Sequence, residues 1–375
     1  MASDLRIAFA GFAALALAQG IGRFAFTPLL PMMQDDAGVS LAQGGALAAA
    51  NYLGYLLGAL WATRPAPAAL VIRASIAVVA AATLAMGFFE GMAVWALLRF
   101  LAGVASAWSL VYVSAWCLAR LAGSSPYLNG LVFAGVGGGV TLAGLLCLAL
   151  AHAGASSAQG WILLGVAATV IVALVWPVFG GANGGGKRQA ARLAWTPQAV
   201  RLVLCYTAYG FAYVVPATFV PAMAKAIVPD PAVFGWAWPL FGATAAASTI
   251  VAARWQSQLG ARHTWMISAF VMAAGVAAPL LLPGLAGIVI AAILVGGTFV
   301  VITMAGLQVA REIAGAGAPP LMAAMTAGFG LGQVTGPLLV AYLGNRGIPI
   351  ALAASALLVA MSGLALGWKE KPCPT

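Results

Sequence analysis

Two arginines, Arg23 and Arg99, lie inside long apolar stretches of the sequence, where a charged side chain is costly to bury. An arginine at membrane depth normally faces a polar cavity or a partner. We therefore expect one or both side chains to face a central cavity and to attract an anionic or strongly polar solute, or to tune a proton step. The structural alternative is that Arg23 pairs with Glu90 or an outer aspartate and that Arg99 bonds backbone carbonyls.

Three tyrosines, Tyr206, Tyr209 and Tyr213, recur at positions i, i+3 and i+7 of another apolar stretch. This spacing places them on one face of a helix. We expect this face to line a substrate path opposite Gln19 and Arg23. The alternative is an aromatic packing stripe whose hydroxyls bond to neighbouring helices.

Other polar side chains in apolar stretches are weaker candidates for binding a solute. Asn51 and Gln333 could bond either the substrate or another helix. Trp108 and Tyr112 are spaced i, i+4, so they could share the face of Arg99, although core packing also explains them.

Acidic residues are expected only near the ends of these stretches. A carrier that couples transport to protons usually has an acidic residue inside the membrane. Asp35, Asp36 and Glu90, predicted at the outer mouth, are the candidates for proton coupling. The alternatives are that the substrate itself carries the coupled proton, or that the protein is a uniporter without coupling.

Metal, nucleotide and cofactor chemistry is not expected. His152 and His263 fall at the ends of apolar stretches without a cluster of metal-ligand spacing. The sequence has no GxxxxGK[ST] phosphate-binding motif, so an ATP-driven pump is not expected either.

The composition indicates that lipid surrounds the protein. Of 375 residues, 63% are hydrophobic and only 6% are charged, whereas soluble domains are about one quarter charged. The net charge of +10 could suggest nucleic-acid binding, but topology explains it better. With a cytoplasmic N-terminus, most of the 17 Lys and Arg residues fall on the cytoplasmic side, and only Lys225 and Arg346 on the other. We expect a multi-pass protein of the plasma (inner) membrane with both termini in the cytoplasm.

About twelve stretches are long and apolar enough to span a bilayer. They divide into a first half, residues 1–180, and a second half, residues 200–375, joined by a polar, Gly-rich cytoplasmic linker at 181–199. The predicted spans are Ile7–Pro31, Leu41–Trp61, Leu70–Phe89, Met92–Leu118, Leu128–His152, Gly160–Phe179, Val200–Ala224, Val233–Trp255, Thr264–Leu282, Leu285–Val309, Pro320–Tyr342 and Ile348–Trp368.

The two halves contain an internal repeat. Gln19–Met33 aligns with Tyr209–Met223, so that Gly20 meets Gly210. Ala134–Gly139 (AGVGGG) aligns with AGFGLG in the second half at an offset that is again about 190 residues, as expected of duplicated transporter halves. The fold class predicted is an all-α polytopic membrane protein of two pseudo-symmetric six-helix bundles.

Two six-span halves, a basic central loop and both termini inside resemble the major facilitator superfamily of transporters. Arg99–Ala107 (RFLAGVASA) is similar to the Arg-x-x-x-Gly pattern of that superfamily's fourth helix. Gly135–Gly144 (GVGGGVTLAG) is similar to the Gly-rich motif typical of the fifth helix of exporters, although its Gly-Pro pair occurs instead at Gly336 and Pro337.

The opening GIGRFAFTPLLP resembles the YbfB/YjiJ branch of this superfamily. The loop WATRPAPAALVIR lacks the Asp of the superfamily's gating motif, so that latch is not carried over. The resemblance implies the fold and a transport function, but no known substrate.

We expect a secondary transporter that moves a small organic solute, anionic or polar, by alternating access. The Gly-rich motif favours export. The alternatives are a polytopic membrane enzyme, for which the sequence offers no catalytic cluster, and a drug-type multisubstrate efflux carrier. A channel or sensor fits the two-half repeat less well. We expect a monomer in the lipid bilayer, with a small-molecule substrate, a proton as a candidate coupled ion, and no cofactor, metal or nucleic acid.

Overall fold

The computed structural model describes residues 2–64, 66–179, 195–227, 235–343 and 347–367, and every regular element in these ranges is helical. The all-α fold predicted from the sequence is therefore confirmed. Most of the predicted linker at 181–199 lies outside the described residues, so the division into two bundles stays a prediction.

The first helical segment is interrupted and is longer than predicted. It consists of α1 (Ala2–Leu15), a nine-residue π-helix (Ala16–Phe24) and α2 (Phe26–Asp36). The sequence predicted one continuous span over Ile7–Pro31, so the helix extends further at both ends than its apolar core.

The π-helix coincides with the residues that made this segment unusual. Gly20 and Gly22 place no Cβ on it, and Pro28 follows it by one turn. Proline has no N–H to donate. The carbonyl of Arg23, five residues before Pro28, therefore lacks the i+5 donor that a π-helix would provide.

Eleven further helices and one short 3₁₀ turn, Gly315–Gly317, complete the described residues. The helices are α3 (Leu41–Trp61), α4 (Ala68–Ala85), α5 (Met92–Arg120), α6 (Pro126–His152), α7 (Ser157–Val175), α8 (Pro197–Ile227), α9 (Ala237–Leu259), α10 (Ala261–Leu281), α11 (Leu285–Ala314), α12 (Ala318–Leu343) and α13 (Gly347–Gly367).

Nine stretches of the described residues are long and apolar enough to cross a membrane by length and composition. One of them, Leu285–Val340, contains both α11 and most of α12. The helices α3 and α9 are outside this set because glycine and polar residues make them less apolar.

Equivalent glycines make equivalent close contacts in the two halves. A Cβ on Gly20 would collide with the backbone of Gly139 on α6. A Cβ on Gly332 of α12 would collide with the backbone of α8 at Thr207 and would lie 3.0 Å from the carbonyl carbon of Gly210. The alignment pairs Gly20 with Gly210 and Gly139 with Gly332, so the repeat corresponds to a repeated helix contact.

Two helix pairs make the most extensive contacts between the first half and the second. The helix α6 packs against α9, where a Cβ on Gly137 would lie 2.6 Å from the carbonyl oxygen of Gly242. The helix α3 packs against α12, where Gly330 lies beside Leu56. Small residues allow helices in lipid to approach this closely.

Candidate functional site

The guanidinium of Arg23 is only 4% exposed and contacts helices from both parts of the sequence. Its Nη2 donates to Oε1 of Gln333 on α12 over 2.5 Å, and its Nη1 donates to Oε1 of Gln19 over 3.3 Å. The guanidinium carbon lies 3.8 Å from the ring centroid of Tyr55 on α3. Arg23 therefore contacts amides and an aromatic ring, and no carboxylate of the described residues contacts it.

Gln19 is oriented by α5. Its Nε2 donates to the carbonyl oxygen of Ser106 over 2.7 Å, which leaves its Oε1 to accept from Arg23. The Ser106 hydroxyl in turn donates to the carbonyl oxygen of Ala18 over 2.7 Å. These bonds fix the π-helix against α5 and hold Arg23 toward the second half.

Arg99 bonds to the backbone of the first segment. Its Nη1 donates to the carbonyl oxygen of Gly22 over 3.0 Å and its Nη2 to that of Arg23 over 3.1 Å, with the guanidinium 4.8 Å from the ring centroid of Phe26. Arg99 therefore follows the alternative in which its side chain bonds backbone carbonyls instead of facing a cavity. Arg99 supplies the donor that Pro28 cannot supply, and it thereby holds the irregular helix in place.

Asn51 supports Arg99 from α3. It is fully buried, and its Nδ2 donates to the carbonyl oxygen of Arg99 over 2.8 Å. The structure therefore assigns its amide to a helix contact, whereas Gln333 bonds the side chain of Arg23.

The tyrosine face of α8 is buried and contacts the first segment, where the ring of Tyr213 lies 6.3 Å from that of Phe24. Tyr206, Tyr209 and Tyr213 are each at most 1% exposed. The Tyr209 hydroxyl donates to the carbonyl oxygen of Phe299 over 2.6 Å and lies 3.1 Å from Oγ1 of Thr303. The structure thus brings together the tyrosine and Arg/Gln faces, and their role in binding a solute stays a prediction.

A narrow cavity of about 20 Å³ lies where these faces meet. Its walls are mainly aromatic and aliphatic, with Arg23 as the charged side chain among them. The lining residues are Gln19, Arg23, Phe24, Tyr55, Leu110, Val136, Tyr206, Tyr209, Phe299, Val300, Thr303 and Phe329.

Four buried hydrogen-bond donors around Arg23 have no partner among the described residues. They are Nε of Arg23, Nε2 of Gln333, and the hydroxyls of Tyr55 and Tyr213. A buried polar group without a partner costs free energy. Donors gathered around a cation are suited to receive the oxygens of an anion.

Trp108 and Tyr112 lie away from this cavity. Nε1 of Trp108 donates to the carbonyl oxygen of Gly58 over 3.1 Å, and its ring packs 4.8 Å from that of Trp61. The Tyr112 hydroxyl donates to the carbonyl oxygen of Arg64 over 3.2 Å. Both side chains therefore hold α5 against the end of α3 instead of lining the cavity.

The acidic candidates also lie outside the cavity. Asp35, Asp36 and Glu90 are exposed at helix ends. The Asp36 carboxylate accepts from the backbone N–H of Ser157 and, over 2.7 Å, from its hydroxyl, so it caps the start of α7. Among the described residues, no group of three or more His, Cys, Asp and Glu could hold a metal ion.

Sequence reasoning missed the aromatic residues of the second half that complete the cavity. Phe329 lies one turn before Gln333, and Phe299 lies one turn before Thr303. The same i, i+4 spacing links Asn51 to Tyr55 on the other side. The sequence signal that could have identified these residues is an aromatic residue one helical turn from a polar one. This spacing is common in packed helices, so it does not single out a cavity.

One family model and many solved structures match this chain. The sequence model of the family described as "Uncharacterised MFS-type transporter YbfB" matches residues 15–367, where MFS denotes the major facilitator superfamily. No curated protein gives a significant match. Among solved structures, 267 chains match significantly.

One of these structures is the human organic anion transporter MFSD10 (TETRAN). The superposition has a TM-score of 0.73 and covers 97% of this chain and 99% of that one, at 15% sequence identity. At this identity the likeness shows a shared fold.

Proposed function

The chain belongs to the family of YbfB-type transporters of the major facilitator superfamily, and from this premise we propose that the solute it carries is a small organic anion. The observation that carries the proposal is the buried guanidinium of Arg23, which bonds only neutral groups among the described residues. An ionised group in a low-dielectric interior is costly unless it is paired. An anionic substrate would supply the counter-charge.

The unpartnered donors support a carboxylate in particular. Nε of Arg23, Nε2 of Gln333 and the hydroxyl of Tyr213 could together satisfy the lone pairs of two carboxylate oxygens. A cationic drug would place its charge beside Arg23 and would leave these donors unsatisfied. The arrangement therefore favours an anion carrier over a drug-type multisubstrate efflux carrier.

Alternating access is the mechanism we propose. The residues around the cavity are buried, with Gln19, Arg23, Tyr209 and Gln333 each at most 4% exposed, so a solute could reach them only after the halves move apart. The contact between Arg23 and Gln333 joins the first half to the second at the cavity itself. A solute that replaces Gln333 as the partner of Arg23 would loosen this contact, which links binding to the movement of the halves.

We further propose that the protein is a monomer in the plasma (inner) membrane, with both termini in the cytoplasm. The distribution of Lys and Arg supports this orientation. The likeness of Gly135–Gly144 to exporter motifs favours export. The name of MFSD10 as an organic anion transporter fits the proposal, which rests on the contacts of Arg23.

The test is counterflow in proteoliposomes that contain the purified full chain. Vesicles loaded with an unlabelled carboxylate should take up the same labelled carboxylate saturably, and the neutral amide of that acid should compete poorly. Arg23→Gln should reduce the initial rate by about tenfold or more, a loss of at least ~1.4 kcal/mol. The matched control is Arg6→Gln, because Arg6 is exposed near the N-terminus.

Equal competition by the amide and the acid, together with normal counterflow by Arg23→Gln, would contradict the proposal. Thermal unfolding of each purified variant establishes that it is folded.

A further inference from the structure

A row of five aromatic rings leads away from the Arg23 cavity through the second half. In order, the rings belong to Trp238, Phe241, Phe299, Tyr213 and Phe329. Successive ring centroids are 5.3, 5.1, 5.0 and 5.9 Å apart, and successive ring planes are inclined by only 3°, 22°, 16° and 21°. We refer to these five rings as the aromatic row.

The row is assembled from four helices. Trp238 and Phe241 belong to α9, Phe299 to α11, Tyr213 to α8 and Phe329 to α12. Edge-to-face and offset-stacked pairs are both favourable for aromatic rings, so packing alone does not require successive near-parallel planes. Near-parallel rings share one orientation, so a flat guest that enters beside them could stack in that same orientation.

Phe24, the neighbour of Arg23, contacts the row from the first half. Its ring meets those of Tyr213, Trp238 and Phe299 at 79°, 64° and 85°, with centroid distances of 6.3, 6.3 and 6.1 Å. The ring of Phe24, which follows Arg23 in the sequence, is therefore edge-on to three members of the row. A solute bound to Arg23 would place its body against these faces by displacing the ring of Phe24.

Each end of the row adjoins empty space. Phe299 and Phe329 line the Arg23 cavity. Trp238 and Phe241 line a second small cavity of about 20 Å³, whose other walls are proline, alanine and valine side chains. The surroundings of the row beyond Arg23 are therefore apolar, and they suit an uncharged body.

The cavity offers one positive charge, so it can balance one negative charge on a solute. Arg99 is committed to the carbonyl oxygens of Gly22 and Arg23, so Arg23 is the one cation of the described residues that lines the cavity. A second carboxylate on the solute would lie among aromatic rings without a counter-charge, which is costly.

On the premise of the anion transport proposed above, we infer that the substrates are aromatic monocarboxylates. The carboxylate would bind Arg23 and its neighbouring donors, and the flat ring would lie against the aromatic row near Phe299 and Tyr213.

The test compares four acids or amides of similar size by isothermal titration of the purified full chain. Benzoate is the flat monoanion, cyclohexanecarboxylate is its non-planar counterpart, phthalate is the dianion and benzamide is the neutral analogue. We expect benzoate to bind about tenfold more tightly than each of the others, since stacking and charge pairing each contribute on the order of a tenfold effect.

Two variants separate the ring from the charge. Phe299→Leu should weaken benzoate several-fold and leave cyclohexanecarboxylate nearly unchanged, whereas Arg23→Gln should weaken every carboxylate. Phe88→Leu is the matched control, because Phe88 is 65% exposed and lies outside the row. Thermal unfolding in the same detergent shows whether Phe299→Leu is folded.

If benzoate and cyclohexanecarboxylate bind equally to the wild type, the inference is overturned while anion transport stands. Equal binding of phthalate and benzoate would overturn the single-charge assignment in the same way. If benzamide binds as tightly as benzoate and Arg23→Gln has no effect, the proposed function itself fails. Absence of binding by all four probes would overturn the inference.

Discussion

The Nη2 atom of Arg23 and the Oε1 atom of Gln333 lie 2.5 Å apart, although the two residues are 310 positions apart in the chain. This hydrogen bond links the π-helix of the first segment to α12 across the boundary between the halves. Gln333 is fully buried and its Nε2 has no partner among the described residues, so the amide is fixed through its oxygen alone. An acceptor held against a buried cation occupies the position that a substrate carboxylate would take.

The first prediction concerns this acceptor. Gln333→Glu places a permanent carboxylate against Arg23, so it should reduce carboxylate affinity by about tenfold or more through direct competition for the charge. Gln333→Leu, which removes the acceptor and the Nε2 donor without adding charge, is the comparison and should lose clearly less affinity than Gln333→Glu. Titration calorimetry measures both, and wild-type affinity in Gln333→Glu would contradict the role given to Arg23.

The second prediction separates the two arginines. Arg99→Met removes two bonds to backbone carbonyls that a charged donor supplies, so it should destabilise the protein by about 3 kcal/mol. Arg23→Gln should lower carboxylate affinity with a smaller loss of stability, because its partners are side chains. Chemical unfolding in detergent gives the stabilities, and an equal loss for both variants would show that the roles are not divided.

The third prediction concerns the close contact between the first segment and α6. Gly20→Ala drives a Cβ into the backbone of Gly139, which cannot move aside as a flexible side chain could. The expected cost is about 3 kcal/mol or more, at the upper end for overpacking. Gly45→Ala on α3 is the control, because a Cβ there would meet nothing within 4 Å. If the two variants unfold at the same temperature, the proposed contact is incorrect.

The fourth prediction concerns Asp36. Its carboxylate caps the start of α7 through Ser157, so Asp36→Ala should cost about 1 kcal/mol of stability, as loss of a helix cap does. Asp35→Ala is the matched control, and neither change should alter the dependence of carboxylate counterflow on external pH. A shifted pH dependence in Asp36→Ala alone would instead assign proton coupling to this residue.

The sequence was sufficient to predict the helical fold because most of the helical segments are recognisable from their own apolar length. The repeat of glycines such as Gly20 and Gly210 could also be read directly, since close helix contact requires the absence of a side chain. The spacing of Tyr206, Tyr209 and Tyr213 predicted one buried face for the same local reason.

Other features depended on which helices become neighbours. The bond from Arg23 to Gln333 and the row through Phe299 and Phe329 join residues on different helices, and no local pattern specifies those pairs. The sequence alone leaves two directions open for the Arg99 side chain, toward a cavity or toward backbone carbonyls. The direction it takes depends on the π-helix. The Gly and Pro residues around the π-helix indicate that the helix is irregular, but they do not specify which kind of irregularity it has.

The most direct measurement for the central claim is the ratio of benzoate to benzamide affinity, determined by titration of the wild type and of Arg23→Gln. The ratio compares a charged ligand with a neutral one of the same shape, so a general loss of packing changes both affinities and leaves it unaltered. We predict a ratio of about ten or more in the wild type, as expected for charge-assisted bonds, and a ratio near one in Arg23→Gln. An equal ratio in the two proteins would contradict the claim that Arg23 receives the anionic group of the substrate.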